Sequence, residues 1–283
     1  MNTKIGKLSS TAFTHLVLAG YTLLAMFPIV LIMINSVKSR DGIFDNPLAF
    51  PTSETFSLVG FHKVLAKSPF LHFFQNSLTV TIVSLVLILL FAAMAAWALS
   101  EYKFRGNRWL AVYLAFGIMV PIRLGTVSIL KLAVALEPFH MGVNTLAILI
   151  LVYVAQGLPL AVMILSEFMQ QIPKELKEAA RCDGVGEFKI FFQIILPLIR
   201  PAVATVAVFT MVPIWNDLWF PLILAPGEET QTVTLGVQQF IGQYVTDWNA
   251  VLASLSLAVL PVLIMYVFAS RQLIRGITAG AVK

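Results

Sequence analysis

The residues best equipped for chemistry are Trp215, Asn216, Asp217 and Trp219, bracketed by Pro213 and Pro221 inside an otherwise apolar stretch. Aromatic faces beside an amide and a carboxylate are the means by which proteins commonly hold sugars, by stacking and hydrogen bonding rather than by bond making. A second reading stands beside that one: a structural hinge, in which Asn216 and Asp217 satisfy backbone groups that the prolines leave open. Three readings stay open for Arg123, which follows Pro121: a pair with Asp217 or Glu137, snorkelling to the outer interface, or contact with an anionic substituent of the ligand. Asn144 and Gln156 are candidate cavity residues, the alternative being hydrogen bonds between helices. Catalytic constellations are missing. There is no G-x-x-x-x-G-K-[ST] phosphate cradle, no H-E-x-x-H and no G-x-S-x-G. His15, His62, His72 and His140 lack metal-ligand spacing, and the single Cys182 cannot close an intramolecular disulfide. The expectation is therefore no catalytic residue, no metal and no cofactor bound by this chain.

The elements that must position these residues are membrane spans. Of 283 residues, 59% are hydrophobic and 12% charged, with a mean hydropathy of +0.88; a soluble domain carries about 25% charged residues. Thr11–Val37, Leu71–Ser100, Pro138–Ser166 and Trp248–Ser270 contain no Asp, Glu, Lys or Arg, and each exceeds the roughly 20 residues a span needs. The expected fold class is all-α: a polytopic membrane protein with six transmembrane helices at about 11–36, 71–99, 109–127, 143–166, 201–225 and 248–270, in one domain over 1–283. Continuous rather than alternating apolar runs exclude a β-barrel. The first run is too long for a signal-peptide core and has no cleavage site after it, so it is read as a retained helix. A turn-rich stretch over 37–70 contains Phe56–Lys67 at helical spacing, and Pro226–Asp247 is a second polar outer segment. Placing both termini inside puts thirteen of the nineteen Lys/Arg on the inner side, so the termini are expected to be cytoplasmic. The basic balance thus reflects topology, with no soluble basic face for a nucleic acid.

The longest inner segment, 167–200, holds ten charged residues, five of each sign. Pro173 suits a first helical turn and Lys174–Cys182 are mostly good helix formers. Asp183-Gly184 supplies a stop, and a second amphipathic segment, Phe188–Leu196, ends at Pro197. The spacing is Glu178-Ala179-Ala180, three residues, Gly184, nine residues, Ile194, one residue, Leu196-Pro197. This full "EAA" signature resembles that of the permease subunits of bacterial binding-protein-dependent sugar importers, ABC transporters whose members include the smaller maltose permease subunit. Phe74-Gln75-Asn76-Ser77-Leu78, Gln171-Ile172-Pro173, Trp215-Asn216-Asp217 and the tail Gly276–Lys283 match the same group, so the resemblance runs from about residue 10 to the end.

That resemblance implies a type I ABC importer permease fold whose EAA loop, with Glu178, Ala179, Ala180, Asp183, Gly184, Ile194, Leu196 and Pro197, docks into a separate ATPase subunit. Ala179 and Ala180 would fit a groove, Glu178 would meet a basic partner, and Lys174, Lys177 and Arg181 would widen a polar rim. ATP and Mg would sit on two ATP-binding subunits. The other implied partners are a second homologous permease chain, an extracytoplasmic solute-binding protein, the lipid bilayer and a sugar or glycoside. The implied location is the bacterial inner membrane, multi-pass, with the Arg271–Lys283 tail also reaching the ATPases or anchoring to the inner leaflet, and Gly227–Val245 facing the binding protein. The alternatives are import of a polyol or polyamine, and a stand-alone secondary transporter. Against the latter stand the lack of a visible inverted repeat and the few carboxylates within spans.

Overall fold

The computed structural model describes residues 2–241 and 246–281; residues 242–245, Lys283 and the side chains of the Arg271–Lys283 tail, to which a role was assigned above, lie outside the described residues. Every regular element among the described residues is helical, with two isolated bridges, Lys38 to Phe56 and Ile241 to Thr246, in place of a sheet. The chain divides into two compact units, Met1–Phe70 with Val237–Val259 and Leu71–Gly236 with Leu260–Lys283.

The first unit contains α1 (Asn2–Ser36), α2 (Arg40–Asp45), α3 (Val59–Lys67) and, after the intervening elements, the opening turns of α13 (Trp248–Ala281). From Thr11 onward α1 leaves its apolar side chains uncovered, Phe13, Leu16 and Tyr21 among them. The segment beyond α1 is organised by polar contacts. Lys38 is buried, which pushes its ammonium below the usual lysine range, and its Nζ donates to the Asn46 carbonyl at 2.8 Å. The Asn249 amide donates to the Lys38 carbonyl at 2.8 Å. Lys63 of α3 pairs with Asp247 at 2.5 Å, and Trp248 meets Phe44 edge-on.

The second unit is built around α7 (Leu146–Gln170), with α4 (Phe70–Glu101), α5 (Asn107–Met119), α6 (Thr126–Ala135), α8 (Lys174–Cys182), α9 (Glu187–Leu198), α10 (Arg200–Trp215), α11 (Trp219–Leu224) and α12 (Val233–Val237). α7 packs against α5, α10 and α11. Its buried residues Ile148, Leu149, Val152, Val162, Leu165 and Met169 recur at three- and four-residue spacing, which puts them on one face. They join Ile88, Ala92 and Ala96 of α4 and Ala202 and Val206 of α10 in a single core.

Among the described residues four helices are long and apolar enough to cross a membrane, Thr11–Ser36, Phe70–Glu101, Leu146–Gln170 and Trp248–Val267, or up to six if each of two bent pairs counts as one span. Two of the expected straight spans, at 109–127 and 201–225, are interrupted. At 109–127, α5 stops at Met119 and the chain turns by 88° into Ile122–Ala135, because Pro121 disfavours a helical Val120 and offers no N–H. At 201–225, α10 ends at Trp215 and α11 begins at Trp219, while α9 and α10 meet at 74°. α9 itself holds a π-helical turn at Ile190–Ile195. The span expected to start at residue 143 starts instead at Leu146, since Asn144 adopts a left-handed φ of 58° and Thr145 caps the helix by accepting from the Ile148 amide.

Candidate functional site

The polar residues of the second unit gather around a cavity of about 280 Å³ between α7, α10 and the segments near Arg123 and Phe220. Four of the seven expected path residues line it: Arg123, Gln156, Asn216 and Asp217; Tyr153, Phe209 and Thr210 join them. Asp217 is the hub. Its Oδ2 accepts from the Tyr153 hydroxyl at 2.9 Å and from the Phe220 amide at 3.1 Å, and its Oδ1 accepts from the Trp219 amide at 3.3 Å. The carboxylate therefore caps α11, where the helix dipole favours a negative group. Pro221 cannot donate to the Asp217 carbonyl four residues back, and the Thr234 hydroxyl fills that place at 2.6 Å. The Asn216 side chain donates to the Val212 carbonyl at 3.0 Å. Asn216 and Asp217 thus bond the chain's own backbone, but the carbonyl that Pro221 leaves open is filled by Thr234 rather than by either of them, and both also line the cavity.

Arg123 places Nη2 3.8 Å from Asp217 Oδ1 and its guanidinium carbon 5.8 Å from the centre of the Trp219 ring. With 68% of its side chain exposed, this long pair contributes at most about 1 kcal/mol, and the guanidinium stays available to the cavity. Three expected path residues lie elsewhere. Trp215 is buried edge-on against Phe74. Trp219 donates its indole N–H to Thr126 at 3.0 Å. Asn144 accepts from the Gly227 amide at 2.8 Å and so ties a loop rather than a ligand. The Asn76 and Ser77 pair is likewise a tether: Asn76 donates to the Glu229 and Gln231 carbonyls and Ser77 accepts from the Val233 amide.

In the EAA loop, α8 ends in a two-bond left-handed stop. The Val185 amide donates to the Ala180 carbonyl and the Gly184 amide to the Arg181 carbonyl, each at 3.0 Å, with Gly184 at φ 74° and Asp183 as the C-cap. This fixes the angle at which α9 leaves. Glu178, Ala179, Asp183 and Gly184 face outward, whereas Ala180 is buried against the chain's own core. Ile194 and Leu196 pack partly into that core, with Pro197 half-buried beside them. Of the residues expected to widen the polar rim, Lys174 is exposed, but Lys177 is 7% exposed at its side chain, and Lys177 and Arg181 turn back onto Glu101 at 2.6 and 2.7 Å. Arg181 also pairs with Glu187 at 2.7 Å, and these two carboxylates hold its guanidinium charged well above the ordinary range. What α8 shows outward is consequently acidic, Glu175, Glu178 and Asp183 against Lys174.

Sequence reasoning passed over Tyr153, Glu101 and Glu187. The signal for Tyr153 was a lone phenol in an apolar run, which when buried requires a partner; for Glu101 it was a lone carboxylate closing an apolar span. No group of His, Cys, Asp and Glu among the described residues is arranged to hold a metal ion.

Residues 6–279 match the family described as the binding-protein-dependent transport system inner membrane component. A putative ABC transporter permease protein of Caldicellulosiruptor sp. (strain Rt8B.4) is 35% identical over 267 residues, 94% of each chain. A probable starch degradation products transport system permease protein, AmyC of Thermoanaerobacterium thermosulfurigenes, is 34% identical over 262 residues, 93% of each chain. Among solved structures, a chain of a bacterial ABC transporter involved in the import of the acidic polysaccharide alginate superposes with a TM-score of 0.78 at 20% identity, covering 92% of this chain and 95% of that one. This likeness is one of fold.

Proposed function

Because the chain belongs to the family of binding-protein-dependent transport system inner membrane components, we propose that it is one transmembrane subunit of an ATP-driven importer of a sugar or oligosaccharide. Relatives named for starch degradation products and for melibiose, raffinose and stachyose support that substrate class. So does the cavity, which combines a phenol, an amide pair, a carboxylate, an arginine and the Phe209 ring. At about 280 Å³ it falls just under the roughly 300–1,000 Å³ of pockets that enclose a whole ligand. This chain therefore supplies one wall of the path and a second permease chain the other. A substrate binding protein delivers the sugar from outside, in the bacterial inner membrane.

ATP and its magnesium ion belong to two separate ATPase subunits. The observation that carries the coupling role is the EAA helix α8: its stop and its ion pairs pin one face to the chain, while Glu178 and Ala179 stand free on the other. An acidic, small-residue face suits a basic cleft on the ATPase. Closure of the ATPase pair would then rock the helices attached to α8, exposing the cavity to one side and then the other. The test is ATP hydrolysis by the co-purified complex in nanodiscs, with and without sugar-loaded binding protein. Stimulation in wild type that Glu178→Ala abolishes, with the variant still inserted, is the expected result. Transport by this chain alone, without any ATPase, would overturn the reading in favour of a secondary transporter.

A further inference from the structure

Four charged side chains form a continuous chain from α9 across α8 to the last residue of α4. Glu187 meets Arg181 at 2.7 Å, Arg181 meets Glu101 at 2.7 Å, and Glu101 meets Lys177 at 2.6 Å. The Tyr102 hydroxyl closes one end by donating to Glu187 at 2.7 Å. Lys177 Nζ closes the other, 5.6 Å from the centre of the Trp97 ring. The side chains of Glu101 and Lys177 are only 11% and 7% exposed, so the loss of Glu101 strands Lys177 away from water, whereas the loss of Lys177 leaves Glu101 paired with Arg181. The stop at Gly184 already sets the angle between α8 and α9, and residues 171–173 already join α8 to α7. What the ion chain adds is a link from α8 to α4, which lies 76 residues back along the backbone.

We propose that Glu101 is a positioning residue that makes α8 and the end of α4 a single moving body. The proposal rests on the coupling role of α8 given above. Motion imposed on α8 then reaches α4 directly, and α4 leads to the cavity: Ile88 lies against Gly157, which lines it. Glu101 and Ile88 are separated by roughly 20 Å of continuous helix at 1.5 Å per residue, a rigid lever between loop and path. Both carboxylates neutralise cations inside the chain, which is why the outward face of α8 is left acidic.

The experiment uses the native Cys182, the single cysteine, exposed at the end of α8. It is paired with Lys103→Cys, at an exposed position just past α4. Spin labels on the two report the spread of distances between α8 and α4 in nanodiscs. ATPase stimulation by loaded binding protein is measured on the complex in parallel. The distance distribution should be narrow in the otherwise wild-type chain and broad with Glu101→Gln, with basal hydrolysis unchanged and stimulation reduced about 2- to 30-fold, the range of residues that carry coupling. Glu101→Asp, which keeps the charge, should restore part of both. If Glu101→Gln does not accumulate, Glu101→Gln with Lys177→Met removes the stranded cation and should show the same broadening and loss of stimulation. A distribution as narrow as wild type, or full stimulation, in whichever of these variants assembles overturns the proposal. If the wild-type chain does not co-purify with an ATPase, the coupling role of α8 fails, while the distance measurement still decides whether Glu101 joins α8 to α4.

Discussion

Asp217 shows how one side chain serves both architecture and path. Its carboxylate accepts from the Tyr153 hydroxyl and from two amides at the start of α11, so Asp217→Ala both uncaps a helix and leaves a buried hydroxyl unpaired. The expected cost is about 2–4 kcal/mol, read as a fall in melting temperature of the purified subunit. Arg123→Ala removes only a long, exposed pair and should leave stability within about 1 kcal/mol while lowering sugar transport by the complex. A stable Asp217→Ala variant, or transport indifferent to Arg123→Ala, would show that the two roles are assigned wrongly. The sequence pointed to this cluster through tryptophan, asparagine and aspartate near prolines. It did not separate its members, because whether a polar side chain faces a ligand or a backbone group depends on neighbours far along the chain. Thr234 and Tyr153 for Asp217, and Gly227 for Asn144, carry no local pattern that marks them as partners.

Helices fared differently, because their lengths follow from composition while their breaks follow from single residues. Long apolar helices in α1, α4, α7 and α13 overlap the four uncharged runs, with α7 beginning at Leu146, inside the run that opens at Pro138. The expected spans at 109–127 and 201–225 are broken, since a 20-residue hydropathy average does not register Pro121 or the capping carboxylate of Asp217. Close packing of α7 with α4 and α10 rests on Gly157: a Cβ there would stand 2.6 Å from Ile88 Cδ1 and 3.2 Å from Thr210 Cγ2. Small residues permit such approach between membrane helices. Gly157→Leu should therefore cost about 1–3 kcal/mol through overpacking and reduce transport by filling the cavity; unaltered melting and transport would mean that the helices are not so closely set. In the first unit, burial alone would raise the Asp247 carboxyl, but hydrogen bonds from Lys63 and from the Ala250 and Asn249 backbone hold it below its ordinary value. A depressed carboxyl stabilises the fold above its unfolded pKa and loses that contribution as pH falls through the lower folded value. The α3–α13 contact should accordingly persist from neutral pH down to about pH 4. In the Lys63→Met variant the carbon-13 titration of the Asp247 carboxyl should move up toward the ordinary value. An unchanged midpoint would remove Lys63 from the account.

For the whole molecule, orientation is the property on which the coupling role depends, and it rests on charge bias. Thirteen of nineteen Lys/Arg fall on the side assigned to the cytoplasm, the 167–200 loop alone carrying five, and such a bias sets the direction of insertion. The acidic residues run six inside and eight outside, so net charge reinforces the same assignment without driving it. The chain carries its own reporter, since Cys182 is its single cysteine and is exposed at the end of α8. Expressed without its partners, the wild-type protein should react with a membrane-impermeant maleimide in inverted inner-membrane vesicles. It should stay unlabelled in intact spheroplasts until detergent is added. That labelling pattern would put the outward face of α8 on the side where ATP is available. Labelling in intact spheroplasts would place Glu178 on the outer side, beyond reach of any cytoplasmic ATPase, and the coupling role of the loop would fall with the topology.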